Sequence, residues 1–313
     1  MAPEKIDCPV CDGMAQLIIQ KKVHEFRKDQ FEIFEYFYLC EKCGEEFTTT
    51  ESDELTYITL YNLYRTKNNI PFPEQLTELR EQYGISASLF SKILGFGVNQ
   101  YANYEKGEVP NESNATLLSL VSEPEEFKKI LLRKKELLKE NQYSKLLDTA
   151  NKLINEKQET PWVKVSGYNT GSSFTDFNGF TPLSLQKFAH MVLYFVEGAP
   201  YKTRLNKLLF YADFLHFKYA GKSISGSEYA AIDYGPVPEQ YLSKYESLIL
   251  NSYISIAVEY EKDGEKERFI PLLRFNSSLF KEDELSTLSK VQKHFKHMNT
   301  KSIVEKSHSE AGW

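Results

Sequence analysis

Four cysteines make the strongest chemical statement in this 313-residue chain. Cys8-Pro9-Val10-Cys11 and Cys40-Glu41-Lys42-Cys43 are two CxxC pairs, set apart by the 28 residues between Cys11 and Cys40. Each CxxC lets two thiolates converge on one ion, and two such pairs complete a tetrahedral four-sulfur site. Gly13 and Gly44, just past each pair, give the backbone freedom that metal knuckles use. The chain has no other cysteine. A site closed by four sulfurs leaves no open coordination position, so the spacing predicts structural zinc and not a catalytic metal. Four unrelated buried thiols or a redox CxxC pair are the alternatives, and the second would not explain two copies.

The elements that must bring these thiols together are strands. QLIIQKKVHEF and QFEIFEYFYLC, between the two pairs, both alternate as strands do. They read as a hairpin that lengthens the spacer beyond the roughly 15–20 residues commonest in zinc ribbons. So small a core should lose its fold on chelation.

Residues 86–107, SASLFSKILGFGVNQYANYEKG, carry the second chemical signal. Ser86 or Ser88 can cap a helix in which Leu89, Phe90, Ile93 and Leu94 recur at helical spacing. Gly95-Phe96-Gly97 stops it, and a second short helix is expected over Val98–Glu105 with Gly107 behind it. Helix, tight turn and helix is the arrangement that lays a reading helix in the DNA major groove. Tyr101 and Tyr104 should face inward, with Asn99, Gln100 and Asn103 outward. Asn and Gln can pair bidentately with adenine. An ordinary surface hairpin of helices with a polar face has the same pattern.

Composition sets bounds on both readings. Hydrophobic residues make up 41% and aromatics 14% of the chain, which supplies sizeable cores and makes disorder a minor component. No apolar run reaches the roughly 18–20 residues of a membrane span, and MAPEKIDCPVCDG has no apolar signal core. A reducing cytoplasmic setting follows, with thiols or metal ligands in place of disulfides. Net charge is −6, and residues 69–120 carry 3 Lys/Arg against 6 Asp/Glu. Non-specific attraction to DNA should therefore be weak, since phosphate contacts supply most of it.

Around the glycine turn the pattern is helical. Pro73 opens a helix ended by Gly84, and Pro110-Asn111 start another that buries Leu117, Leu118 and Val121. Ser122-Glu123-Pro124-Glu125-Glu126 begins a helix expected to reach about Glu156, in which Leu146, Ala150 and Leu153 keep a heptad-like beat. That stripe suits either self-association or packing on its own domain. The basic run Lys128, Lys129, Arg133, Lys134, Lys135 reads as a solvated helix face.

Residues 159–180 concentrate Gly, Ser, Thr and Asn and mark a boundary. Beyond it, helices are expected over Leu183–Glu197, Lys202–Ala220 and Gln240–Leu250 and near Lys281–His297 and Lys301–Ser307. Tyr253–Glu261 and Arg268–Phe275 should form a hairpin around Lys262-Asp263-Gly264. Asp213 with His216, and His294 with His297, sit three residues apart, but neither pair has a third ligand beside it. No catalytic triad order, phosphate loop or dinucleotide glycine pattern occurs, so no enzyme is expected.

Two resemblances sharpen the reading. LGFGVNQYANYEKGEVPNESNATLLSL resembles the Xre-type helix-turn-helix, most closely that of the MqsA family of antitoxin repressors, which carry a near-identical GVNxxxxYEKG run. The resemblance places that family's base-contacting Asn on Asn99 and its next reader, an Arg, on Asn103. The change from Arg to Asn removes a guanine fork, so the family's operator should not carry over. Residues 1–68 resemble the family's N-terminal zinc module, which implies toxin contact there. KLLFYADFLHFKYAGKSISGSEYAAIDYGPVP and the terminal SHSEAGW resemble the SocA-type, or Panacea, antitoxin domain over roughly residues 183–313. Tyr229, Tyr234, Gly235, Pro236 and Pro238 match its most distinctive run, and Trp313 its closing motif. Such a run suits either a rigid partner-binding surface or internal turn and core positions. The family often continues past the position of Trp313, so the resemblance implies a short member or a shortened chain.

The expected architecture is multidomain and mainly α. It comprises a small α/β zinc-ribbon-like module (1–68), an all-α Xre helix-turn-helix bundle with a long C-terminal helix (69–158), a linker (159–180) and a mainly helical domain with a β-hairpin (181–313). The implied function is that of a type II antitoxin, which neutralises a cognate toxin by direct binding and represses its own operon. Expected partners are that toxin, operator DNA and a second copy, since repressors of this type act as dimers on palindromes. The zinc-site residues are Cys8, Cys11, Cys40 and Cys43, and the DNA-binding residues Asn99, Gln100 and Asn103. The partner-binding residues are Tyr229, Tyr234, Pro236 and Pro238. A ligand-sensing transcriptional regulator, a hydrolase or nuclease using the histidines of the C-terminal domain, and a protease adaptor for a toxin are the alternatives.

Overall fold

A computed structural model of the chain describes residues 2–159, 174–198, 200–261 and 264–310. About half of them are helical, in twelve α-helices. None of the described helices is long and apolar enough to cross a membrane. The chain divides into two compact units that do not follow chain order. One takes Met1–Lys21, Phe34–Thr56 and Thr170–Trp313; the other takes Lys22–Ile33 and Tyr57–Asn169.

The chain begins with β1 (Lys5–Asp7), β2 (Met14–Phe26), β3 (Asp29–Cys40) and β4 (Glu46–Phe47), which form one sheet in that order. β1 runs antiparallel to β2, with Lys5 opposite Gln16, and β3 antiparallel to β4, with Tyr38 opposite Phe47. The hairpin expected between the CxxC pairs is thus present. Its turn is at Arg27, whose positive φ of 58° reverses the chain. Alternation buries Ala15, Tyr36, Tyr38 and Cys40. Helix α1 (Thr50–Lys67) follows, with Glu51 and Asp53 in its first turn and Arg65 and Lys67 in its last, as the helix dipole favours.

The second unit is built on α2 (Pro73–Gln82), α3 (Ala87–Leu94), α4 (Gln100–Glu105), α5 (Glu112–Val121), α6 (Pro124–Arg133) and α7 (Glu140–Glu159). Its core is aromatic: Tyr83 stacks on Phe127 at 4.0 Å, and Phe90 lies 4.6 Å from Tyr101 and 5.6 Å from Phe127. Each such ring contributes roughly 1.5–3 kcal/mol by burial. The single long helix expected from 122 to 156 is two. Lys134 leaves helical geometry, Lys135–Leu137 make one 3-10 turn, and Leu138 is extended. α7 then folds back so that Leu146 and Ala150 pack into the core with Phe127 and Leu131. The heptad-like stripe is thereby spent largely inside its own unit.

In the first unit the C-terminal part surrounds α9. This part comprises α8 (Leu185–Val196), α9 (Lys202–Ala220), the short strands β5 (Tyr229–Ala230) and β6 (Val237–Pro238), and α10 (Tyr241–Leu250). It continues with β7 (Ile254–Glu261), β8 (Gly264–Pro271), α11 (Glu282–Phe295) and α12 (Thr300–His308). α9 buries apolar Leu205, Leu208, Leu209 and Ala212, and also Asn206, Lys207, Asp213 and His216, so it is enclosed on more than one face. β8 starts four residues earlier than the sequence pattern suggests, because Ile254–Glu261 pairs directly with Gly264–Pro271. That register lets Ile254 and Phe269 enter the core. The hairpin tip at Lys262 and Asp263, most of the linker (160–173) and Trp313 lie outside the described residues.

Candidate functional site

The cysteine site is assembled by the sheet. β2 begins just after the first CxxC pair, and β3 ends on Cys40, the first residue of the second pair. The backbone N–H of Glu41 donates to Met14 O at 3.0 Å and joins the two turns. The four Sγ atoms all lie within 4.8 Å of one another. The closest approaches cross between pairs, Cys8 to Cys43 at 3.7 Å and Cys11 to Cys40 at 3.6 Å. An ion about 2.3 Å from each of four tetrahedral thiolates sets its sulfurs about 3.8 Å apart, so the donor set fits one such ion.

Backbone amides complete the cradle. Val10 N–H points to Cys8 Sγ and Lys42 N–H to Cys40 Sγ, both at 3.4 Å. Amides of Cys43 and Lys42 hold the Cys40 thiol down at about 6, while Cys11 and Cys43 in the same cluster are raised. Gly13 is needed for space: a Cβ there would stand 2.7 Å from Lys42 Cβ and 3.1 Å from the sulfurs of both Cys11 and Cys40.

The glycine turn sits between two helices as expected. Ser86 Oγ accepts from Leu89 N at 3.2 Å and caps α3, while Gly95 ends it with φ +78°. α4 is shorter than expected, because Val98 and Asn99 belong to the turn. Ser91 Oγ, buried on α3, accepts from Tyr101 N at 3.0 Å, and Tyr101 Oη donates to Leu76 O at 2.7 Å. Arg80 of α2 closes an ion pair with Glu105 at 2.6 Å. Tyr101 and Tyr104 are buried, while Asn99 and Asn103 are exposed. Gln100 differs from expectation. It is half-buried, and its Nε2 donates to Glu108 Oε1 at 2.7 Å.

The Tyr/Gly/Pro run folds around the buried carboxylate of Asp213, which the sequence pairs by spacing with His216 and not with this loop. Asp213 Oδ1 accepts from the N–H groups of Ile224 and Ser225, both at 2.8 Å. Its Oδ2 accepts from Ser225 Oγ at 2.6 Å and Tyr229 Oη at 2.7 Å. Lys244 reaches Ser227 Oγ at 3.2 Å, and Lys207 donates to Pro236 O at 2.7 Å. Burial lowers both lysines to about 8 and raises Asp213. Gly235, at φ +86°, packs on Lys207 and Ser307 with no room for a Cβ.

Of the four residues assigned to partner contact, Pro236 and Pro238 are therefore interior, and Tyr229 is tied to Asp213. Tyr234, 70% exposed, presents its ring to solvent. His216 Nδ1 lies 2.7 Å from Lys222 O, while Asp213 points into the loop. The two form no shared ligand set. His294 and His297 are on the surface.

Comparison with family models adds two matches. Residues 6–142 match the antitoxin component of bacterial toxin-antitoxin systems, MqsA. Residues 205–313 match the SocA-like antitoxin, Panacea domain. No curated protein matches the chain. The first match spans the cysteine site and the α3–α4 pair, and the second spans the Asp213 network. Two segments of the chain are thus similar to antitoxin families, residues 6–142 to MqsA and residues 205–313 to the Panacea domain.

Proposed function

We propose that this chain is the antitoxin of a type II pair, one that blocks a cognate toxin by direct binding and represses its own operon. The observation that carries the DNA half is the pairing on α4 and its turn of exposed Asn99 and Asn103 with buried Tyr101 and Tyr104. The tyrosines fix the helix to its unit, and the asparagines are left free to meet adenine edges. Gln100 joins them as a reader, with Glu108 holding one N–H of its amide while its second N–H and its Oε1 remain for a base. The two antitoxin-family matches support the toxin half.

In this reading the four cysteines hold a structural Zn2+, which shapes the N-terminal sheet and takes no part in chemistry. The Panacea segment meets the toxin through the loop tip at Tyr234. Tyr229, Pro236 and Pro238 serve that contact by fixing the loop. Toxin binding and operator binding are coupled reciprocally wherever one alters the other.

Co-expression with the product of the adjacent gene, scored for rescue of growth and for co-purification, tests the toxin half. Asn99→Ala combined with Asn103→Ala should abolish operator binding and leave rescue intact. A protein that neither rescues nor co-purifies, and retains no duplex, would overturn the reading.

A further inference from the structure

α4 has six residues, too few to hold a helix or its direction without help. Its leaving loop, Gly107–Pro110, is gripped from two sides. Arg65, on α1 and 2% exposed, donates from Nη2 to Gly107 O at 2.6 Å and from Nη1 to Asn62 Oδ1 at 3.2 Å. Arg27, at the turn of the β2–β3 hairpin, donates from Nη2 to Val109 O and from Nη1 to Pro110 O, both at 3.0 Å. Its guanidinium lies 5.0 Å from the Tyr64 ring and 5.3 Å from that of Phe26. Three of the four carbonyls in this loop are thus held by arginine.

The fourth residue of the loop reaches back to the helix. Glu108 N–H donates to Asn103 O at 3.0 Å, and its carboxylate accepts from Gln100 Nε2 at 2.7 Å. The loop that the arginines fix therefore touches two of the three proposed readers directly. We infer that Arg27 and Arg65 are positioning residues for the DNA-reading helix: they lock the Gly107–Pro110 loop, and through Glu108 they set the pose of Gln100 and Asn103. This rests on the DNA reading proposed above. A fork spanning two successive carbonyls needs the planar guanidinium, which a lysine ammonium cannot reproduce.

The test uses the full chain and a duplex enriched by the wild-type protein from a random-sequence pool. Affinity is measured for that duplex and for an unselected one over a range of salt, with Arg27→Ala, Arg27→Lys, Arg65→Lys and Asn99→Ala. Arg27→Ala should bind the selected duplex about tenfold more weakly, as loss of charged hydrogen bonds predicts. Its binding to the unselected duplex, the slope of log K against log salt and the far-UV spectrum should not change. Neither lysine variant should restore selectivity.

A uniform loss on both duplexes, with the salt slope smaller by about one, would make Arg27 a phosphate contact and overturn the assignment. Unchanged selectivity in Arg27→Ala and Arg65→Lys would also overturn it. If Asn99→Ala loses selectivity while the arginine variants keep it, the DNA reading stands and this assignment alone fails. If wild-type protein enriches no duplex, both fall.

Discussion

The Tyr229 hydroxyl donates a 2.7 Å hydrogen bond to Oδ2 of Asp213, a carboxylate with four donors around it. The pair ties the Tyr/Gly/Pro loop to the central helix α9, and it separates residues that build the loop from Tyr234 at its exposed tip.

Asp213→Ala should therefore act on stability. It leaves two buried amides and two hydroxyls without their acceptor, at a cost of about 3–5 kcal/mol. Thermal unfolding should show a fall in Tm of about 10 °C. A change under 1 kcal/mol would mean that the loop is held by its apolar contacts.

Tyr229→Phe and Tyr234→Ala should separate fold from contact. The first removes one buried hydrogen bond and should cost about 1 kcal/mol while toxin rescue persists. The second alters an exposed ring and should leave stability within about 0.5 kcal/mol while weakening rescue and co-purification. The opposite pattern would move the partner surface elsewhere.

Lys207 and Lys244 give the molecule an alkaline signature. Burial lowers both to about 8 from the usual 10.5, so between those values the unfolded chain binds more protons than the folded one. Stability should then rise with pH across that window, by on the order of 2 kcal/mol for each lysine between pH 7.5 and 9.5. Above pH 10 it should fall, because Tyr229 and Tyr245 are held neutral by burial while unfolded tyrosines ionise. Denaturant melts at pH 7.5, 9.5 and 11 would trace this maximum, and Lys207→Met should flatten the rising limb.

Gly13→Ala should weaken metal retention. The added methyl meets Lys42 Cβ and two of the sulfurs, and a cost of about 10–100-fold in affinity is expected from such a perturbation of the site. Competition with a chromogenic chelator measures it directly. Chelation of the wild-type protein should loosen the first strands, seen as a loss of β signal. Metal affinity equal in both proteins would show that the site absorbs the methyl, and wild-type protein that retains no metal would refute the four-sulfur site.

Much of this architecture is legible in the chain. Two CxxC pairs imply converging thiols, Gly95-Phe96-Gly97 implies a break between helices, and the 3.6-residue period buries Tyr101 and Tyr104. These are local signals, each written within a few residues. What escapes is decided at long range. Asp213 looks like one more helical acid until Ser225 and Tyr229 fold back over it. Pro236 and Pro238 have the composition of an exposed turn, yet Lys207 and the β5–β6 pairing draw them inside. The break at Lys134 has no glycine or proline to announce it. Burial of Leu146 and Ala150 against Phe127 and Leu131 favours a return path over a straight helix. The grouping of Phe34–Thr56 with the C-terminal residues in one compact unit has no counterpart in any sequence pattern.

Gly235 and its neighbours have a kinetic consequence. With the carbonyl of Pro236 pinned by Lys207 and the loop's base pinned by Asp213, the ring of Tyr234 is offered from a rigid mount. For the toxin contact proposed at this tip, little chain entropy is left to quench, so the encounter should resemble a key meeting a finished lock. Changes at that tip should accordingly alter how long the complex lasts far more than how quickly it forms.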